Sequence, residues 1–262
     1  MTAVNLKSLL VKANKNKYAI AGLVVLGWEE AIAFVEAADQ TKIPIILQAG
    51  PGSRKHTHIS ILGKMFRYLA DQTKTPICCH LDHGLTIDEC KEGIDYGFTS
   101  VMFDGSNLSL KNNIKKSSSI VKIAKKYKIS VEGEIGYVGY NEGKKSKSTS
   151  IKDAKKYAQE SGVDAMAISV GNKHLQSKKK AKIDIKKIKM IQKSTTIPLV
   201  LHGGSGIPYN TRRVISRNTN VAKFNIGTEL RMVACKSLRK SYNNNKNNFD
   251  KISIIKPSIK EL

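Results

Sequence analysis

Short runs of apolar and β-branched residues recur along the chain. Between them lie stretches whose apolar residues return every three or four positions. The runs Tyr18–Val25, Pro44–Gly50, Pro76–Asp82, Ser100–Ser106, Ile129–Gly136, Ala165–Asn172, Pro198–Gly204 and Val221–Gly227 predict eight strands. They are apolar on both faces, as parallel strands covered on both sides must be. The stretches Gly27–Thr41, Ile59–Gln72, Thr86–Gly97, Leu110–Lys128 and Ile151–Ser161 predict amphipathic helices. Strand and helix in alternation mean either a closed barrel or an open, doubly wound sheet.

The placement of polar residues separates the two. Asp82 with His83, Asp104, Glu132 with Glu134, His174, His202 and Asn225 all fall at the C-terminal ends of predicted strands, beside Gly-rich turns. An open sheet builds its site in one crevice, whereas a barrel draws on many strand ends on one face. The expectation is therefore an α/β fold, a (β/α)8 TIM barrel, spanning residues 1–262 as a single domain. The length of 262 residues suits it, since such a barrel takes roughly 250. Met1–Lys17 is expected to be a helix plugging the bottom of the barrel. Residues 243–262 form a C-terminal tail, with a polar break at Asn243–Asn248 before Phe249–Leu262.

Composition narrows the class. The hydrophobic fraction of 40% supports a real core, yet runs such as Ala31–Val35 and Ile43–Leu47 are too short to span a bilayer. Met1–Leu10 lacks a charged start followed by a long apolar stretch. No membrane partner and a cytoplasmic location are expected. Cys78, Cys79, Cys90 and Cys235 form no CxxC pair, so neither a disulfide framework nor a cysteine zinc site is expected.

The net charge of +24 keeps open a second function, a non-catalytic basic barrel that binds nucleic acid. The excess is mostly Lys, spread over segments such as Lys122–Lys128 and Lys178–Lys193, and aromatic content is 6%. Nucleic-acid modules interleave aromatics and Arg forks with their basic residues. No nucleic-acid partner is expected; a mild attraction of anionic substrates is.

His83, His174 and His202 sit at separate strand ends that a closed barrel would bring to one mouth. Three neutral imidazoles with an open position are a common plan for catalytic zinc. Strand alternation places His80 on the opposite face from His83, and His56 and His58 fall in a polar loop after the second strand. The segment His202–Pro208 is glycine-rich and carries Ser205, and Asn225–Glu229 opens a helix. Loops after strands seven and eight, with a helix N-terminus, are the usual phosphate grip of barrel enzymes. A competing Schiff-base mechanism needs a strand lysine, for which Lys223 is the candidate.

The motifs HLDHG (His80–Gly84), EGEIG (Glu132–Gly136), GNKH (Gly171–His174), LHGGSG (Leu201–Gly206) and NIGTEL (Asn225–Leu230) resemble class II ketose-bisphosphate aldolases, in order from about Tyr18 to Arg239. The ending FDKISIIKPSIKEL resembles that family's C-terminal segment. The resemblance implies a zinc-dependent aldolase that reversibly cleaves a ketose 1,6-bisphosphate, with fructose 1,6-bisphosphate first. A tagatose-type substrate or another aldehyde partner for dihydroxyacetone phosphate is the alternative. It implies Zn2+ on His83, His174 and His202, with Glu134 near an alternative metal position, and a monovalent cation as a second candidate cofactor. It makes Asp82 the acid/base on the C4 hydroxyl and Glu142, in the loop Tyr137–Ser148, the carboxylate that moves a proton at the enediolate carbon. Gly203, Ser205 and Thr228 match phosphate contacts, Asn225 a residue orienting the dihydroxyacetone phosphate part, and Lys178 a phosphate-side lysine. Arg231 is available for a second phosphate, and relatives of this kind are commonly dimers or tetramers.

For Asp104 a structural role at the strand end is favoured over a metal contact or a place behind a metal ligand. Three positions depart from the family pattern. Val24 stands where many members carry Asn, Gly50 where Ser is common, and Gly227 where fructose-type members place Asp. Removing polar groups from a pocket removes the means of rejecting near isosteres, so these positions bear on which sugar is taken.

Overall fold

The computed structural model describes residues 2–140 and 145–262, with Ser258 by its backbone alone. Eight parallel strands close into a barrel: β1 (Ile20–Val24), β2 (Ile45–Ala49), β3 (Ile77–Gly84), β4 (Ser100–Phe103), β5 (Ser130–Ile135), β6 (Ala165–Ile168), β7 (Leu199–Leu201) and β8 (Val221–Ile226). Ile20 of β1 lies opposite Lys223 of β8, which completes the ring. The helices are α1 (Leu6–Lys15), α2 (Trp28–Thr41), α3 (Pro51–His56), α4 (Ile59–Gln72), α5 (Ile87–Asp95), α6 (Leu110–Lys126), α7 (Ile151–Ser161), α8 (Ile185–Gln192), α9 (Tyr209–Asn218), α10 (Thr228–Asn244) and α11 (Lys251–Glu261).

Local chemistry starts and stops these elements. Ser109 and Ser150 accept N3 amides at the starts of α6 and α7, and Gly162 ends α7 with a φ of 75°. Such caps satisfy backbone donors that the helix leaves unpaired. Beneath the sheet, Leu6, Leu9, Leu10 and Ala13 of α1 pack on Ile20, Ile46, Cys78, Ala167, Val200 and Ala222. That apolar floor is the plug expected at the barrel's bottom; each buried Leu contributes roughly 1.5–3 kcal/mol. A second apolar layer fills the space between strands and outer helices. Cys78, Cys79 and Cys90 are buried thiols and Cys235 is exposed.

Several boundaries differ from the sequence expectation. β6 stops at Ile168 rather than Asn172, because Asn172 folds back on its own strand. Its Oδ1 accepts the Val170 amide and its Nδ2 donates to the Ile168 and His202 carbonyls. β7 stops at Leu201 rather than Gly204, where Gly203 takes a φ of 63°. The expected polar loop after β2 is the short helix α3, which His56 ends; the His58 Nδ1 accepts the Ser60 amide at 3.3 Å and caps α4. The break expected at Asn243–Asn248 begins later, after α10 ends at Asn244. The tail is helical, because the Asp250 carboxylate caps α11 and Ser241 Oγ donates to the Ile254 carbonyl.

Above the apolar floor the barrel interior turns polar. Gln48, His80, Glu132 and Lys223 are each fully buried. The Lys223 ammonium lies 2.7 Å from Glu132 Oε2 and 3.2 Å from His80 Nε2. A buried charge requires such a partner. Lys223, the strand lysine of the Schiff-base alternative, is thus held in an ion pair below the mouth.

Candidate active site

The end of β3 breaks the rule that adjacent strand residues face opposite ways. Cys79 and Leu81 pack toward the outer helices, so His80 and Asp82 point into the barrel. Alternation would send His83 outward, yet its backbone takes a φ of 53° and the pairing with β4 shifts between Leu81 and Gly84. The left-handed residue returns the His83 ring to the mouth beside Asp82. His80 and His83 therefore both face inward, at different depths. This corrects the expectation that they occupy opposite faces.

His83, His174 and His202 converge. One ring nitrogen from each lies within 4.8 Å of the other two. Ring centroids are 4.6 Å apart for His83 and His202, and 5.3 Å for His83 and His174. The His174 loop is fixed by its amide, which donates to the Gly139 carbonyl at 2.8 Å, and the ring is 5.1 Å from that of Tyr140. Two of the three rings have a carboxylate behind them. Asp104 Oδ2 is 2.8 Å from His83 Nδ1, and Glu132 Oε1 is 3.1 Å from His202 Nε2. Such partners fix ring orientation and leave the other nitrogen to the ligand. Asp104, read from the sequence as structural, is thus a direct partner of His83, held in turn by the Ser106 amide and hydroxyl.

The remaining nitrogen of His202, Nδ1, is buried without a hydrogen-bond partner, and so is Glu134 Oε2. They stand 3.5 Å apart. Glu134 Oε1 accepts the Val138 amide at 3.2 Å. Burial, with the Asp104 charge adding to it, pushes the Glu134 carboxyl up to about 7. Burial acts to raise Asp82 as well, but His83, His202, Lys223 and His80 outweigh it and hold that carboxyl well below the usual range. Its Oδ1 also accepts from Asn225 Nδ2 at 3.2 Å. Burial acts to lower His83, yet Asp82 and the Asp104 hydrogen bond push it up to about 10. His174 is pushed down to about 3 by burial, then by His83 and His202.

The loops after β7 and β8 meet as expected. A 3-10 turn runs Gly204–Gly206, and the Ser205 hydroxyl oxygen accepts the amides of Gly227 and Glu229, each at 3.2 Å. Ser205 thereby joins the β7 loop to the start of α10, next to Thr228. Gly203 cannot carry a side chain: a Cβ there would stand 2.0 Å from the Lys173 carbonyl oxygen. Its absence lets the β7 loop press against the strand-six loop that presents His174. Lys178 is exposed; its neighbour Lys179 reaches Glu229 at 3.0 Å and, with Gln176 and Ser205, lines a cleft beside α10. Arg231 is half-buried with its Nε unpartnered, and one guanidinium nitrogen lies 3.9 Å from where a Gly227 Cβ would be. Glu142 lies outside the described residues. The ends of its loop are tied by paired backbone hydrogen bonds between Tyr137 and Lys147, at 2.8 and 2.9 Å.

Two of the departing residues touch. A Cβ on Gly227 would stand 3.1 Å from Val24 Cγ2, so any side chain there would have to push Val24 aside by a few tenths of an ångström. Gly50 differs: a Cβ there would lie 3.7 Å from Asp82 Oδ2, in ordinary contact.

The family model for class II fructose-bisphosphate aldolases matches residues 4–262. The chain belongs to that family. This class II aldolase, a carbon–carbon lyase, is 33% identical to the fructose-bisphosphate aldolase of Staphylococcus aureus strain Mu50 over 266 aligned residues, covering 98% of this chain and 92% of that one. It is 32% identical to the 6-phospho-5-dehydro-2-deoxy-D-gluconate aldolase of Halalkalibacterium halodurans, covering 100% and 93%. Among solved structures, the YdjI aldolase of Escherichia coli K12 superposes with a TM-score of 0.85 at 25% identity, covering 99% of this chain and 92% of that one. No helix among the described residues is long and apolar enough to cross a membrane.

Proposed function

We propose that this class II aldolase reversibly cleaves a ketose 1,6-bisphosphate, fructose 1,6-bisphosphate first, into dihydroxyacetone phosphate and glyceraldehyde 3-phosphate, and that it does so with zinc. One observation carries the reading: three imidazoles converge within 4.8 Å beside the buried Asp82 carboxyl. The buried, unpartnered His202 Nδ1 supports a metal there, since a buried polar atom without a partner is costly unless a ligand satisfies it. Nitrogen donors of this kind suit zinc. His83, His174 and His202 would hold the ion, with Glu134 beside an alternative position. Bound zinc would supply the positive charge that accommodates the electron pair left on the ketose fragment.

The chain's own groups handle the protons and the phosphates. In cleavage, Asp82 takes the C4 hydroxyl proton as the C3–C4 bond parts, and the Lys223 ammonium below it favours its ionised form. Asn225, bonded to Asp82, orients the dihydroxyacetone phosphate part. Glu142 returns a proton to C3, a role carried by the family resemblance. Gly203, Ser205 and Thr228 form the first phosphate site at the start of α10, where backbone amides favour an anion. Lys178 is proposed on that side, and Arg231 for the second phosphate. The reading takes residues 1–262 as one domain, working in the cytoplasm as a dimer or tetramer, an assembly that sedimentation measures.

A second reading changes only the aldehyde partner. Val24 packed against Gly227 favours it, because that corner offers a substrate hydroxyl few polar groups. One relative is named for a 2-deoxy-gluconate phosphate, which makes that compound a natural probe. The deciding experiment measures zinc content and cleavage of fructose 1,6-bisphosphate, tagatose 1,6-bisphosphate and 6-phospho-5-dehydro-2-deoxygluconate, with and without chelator. Chelator-sensitive release of dihydroxyacetone phosphate establishes the reaction, and the rate ratios give the substrate. Absence of bound zinc after loading and dialysis would overturn the central reading.

A further inference from the structure

The turn at His83 disrupts the β3–β4 ladder, whose register slips between Leu81 and Gly84. Carbonyls at such a slip need donors from elsewhere if they are buried. Arg54 of α3 supplies them. Its Nη1 donates to the Ala49 carbonyl at 2.5 Å and the Asp82 carbonyl at 2.6 Å, and its Nη2 donates to the His83 carbonyl at 2.9 Å. Its Nε donates to Glu89 Oε1 at 2.9 Å, with Nη2 2.8 Å from the same oxygen. The other Glu89 oxygen accepts the Leu85 amide at 2.8 Å, two residues past His83. The Arg54 side chain is only 8% exposed, so these contacts replace its hydration almost entirely.

A left-handed non-glycine residue costs roughly 1–2 kcal/mol and persists where its surroundings over-determine it. The Arg54 fork, with one flank on Glu89 and the other on strand-end carbonyls, provides that determination. A planar guanidinium can serve several directions at once, which an ammonium on a flexible stem does not.

We propose that Arg54, anchored by Glu89, is a positioning residue: it holds the left-handed turn at His83 and so sets where Asp82 and His83 stand in the mouth. The functional readouts rest on the reading of Asp82 as acid/base and His83 as a zinc ligand; the turn itself is tested without either. The experiment compares wild type with Arg54→Met and Arg54→Lys. It reads metal-free crystal structures, the zinc dissociation constant by competition with a chromogenic chelator, kcat and KM separately, and the thermal midpoint.

In Arg54→Met, His83 is expected to leave the positive-φ region or lose its Asp104 contact. Zinc should bind about 10- to 100-fold more weakly, the range found for groups that orient ligands. kcat should fall with it while KM stays within about threefold. Arg54→Lys, which keeps the ion pair, should recover the thermal midpoint without recovering zinc affinity. If Arg54→Met does not fold, Arg54→Lys and Glu89→Gln carry the same comparison. Retention of the turn, the Asp104 contact and wild-type zinc affinity within twofold, in whichever of these variants fold, would overturn the proposal. If wild type binds no zinc, the functional reading fails, and the φ of His83 in the variants still decides the role of Arg54.

Discussion

The mouth of this barrel is built on two different plans. At the ends of β3, β4, β5 and β7, and on the inner face of β8, the polar groups lean on one another: Asp104 on His83, Glu132 on His202, and Lys223 on Glu132 beneath. Where β1 ends beside the residue that follows β8, Val24 faces Gly227, and just past β2 Gly50 leaves room in front of Asp82. In the first region each orientation depends on another buried group, so a change in one is felt by the rest. In the second, apolar or absent side chains contact whatever enters without demanding a particular hydroxyl. Reaction class and sugar choice therefore reside in separable parts of one pocket, and substitutions in the two should fail in different ways.

The sharpest break is expected within the networked side. His202→Ala should abolish zinc retention through dialysis; unchanged metal content by mass spectrometry would remove it from the ligand set. Asp82→Ala should keep its zinc yet lose cleavage by about 10²–10⁴-fold, the usual range for a general acid/base. Near-normal turnover would move that role to another group. Next in size is Asp104→Asn, which keeps the shape while weakening the partner of His83. Zinc affinity should fall about 10- to 100-fold without loss of the fold. An unaltered affinity would return Asp104 to the purely structural role its sequence position first indicated.

A smaller, graded effect follows from pH. His83 is raised to about 10 in the metal-free protein, so the stability its charge contributes is complete below the ordinary value of about 6.5 and lost as pH rises through about 10. Zinc takes the neutral ring, so metal affinity runs the other way, rising by up to about tenfold per unit from pH 7 toward 10. His174, already lowered to about 3, adds no slope there, and Glu134, raised to about 7, adds slope only near the bottom of that range. Chelator competition at pH 7, 8 and 9 checks this, and a flat profile would mean that His83 is not displaced from its proton by the metal.

The same division decides how much was legible in the sequence. Apolar runs and helical periodicity located all eight strands and the α1 plug, because burial on both faces leaves a mark in every residue of a strand. The strand-end histidines and carboxylates were visible for a similar reason, standing as polar residues where the run should have stayed apolar. Geometry that depends on one backbone torsion was not visible. Period two sends His83 outward, and only the φ of 53°, with the ladder slip, turns it in. Arg54 carried no signal either, since three of its partners are backbone carbonyls that any sequence would supply and the fourth, Glu89, lies 35 positions away. Nor could the contact between Val24 and Gly227 be read, because it joins residues about two hundred positions apart in sequence, from the adjacent strands β1 and β8.

The least disruptive test lies on the sugar side. Gly227→Asp alone should lower stability by roughly 1–3 kcal/mol, because its Cβ would press on Val24 Cγ2 at 3.1 Å. Val24→Asn should relieve that strain, so the double variant is predicted to be more stable than additivity allows. Gly50→Ser needs no such relief: its Cβ would sit 3.7 Å from Asp82 Oδ2. A hydroxyl there adds one hydrogen-bonding group to the pocket, and one hydrogen bond is worth about 0.5–1.5 kcal/mol. The ratio of fructose to tagatose bisphosphate cleavage should therefore move by about 2- to 10-fold, with zinc affinity unchanged. If Gly50→Ser weakens zinc as much as Asp104→Asn does, the two sides of the mouth are one network, and the separation of reaction class from sugar choice does not hold.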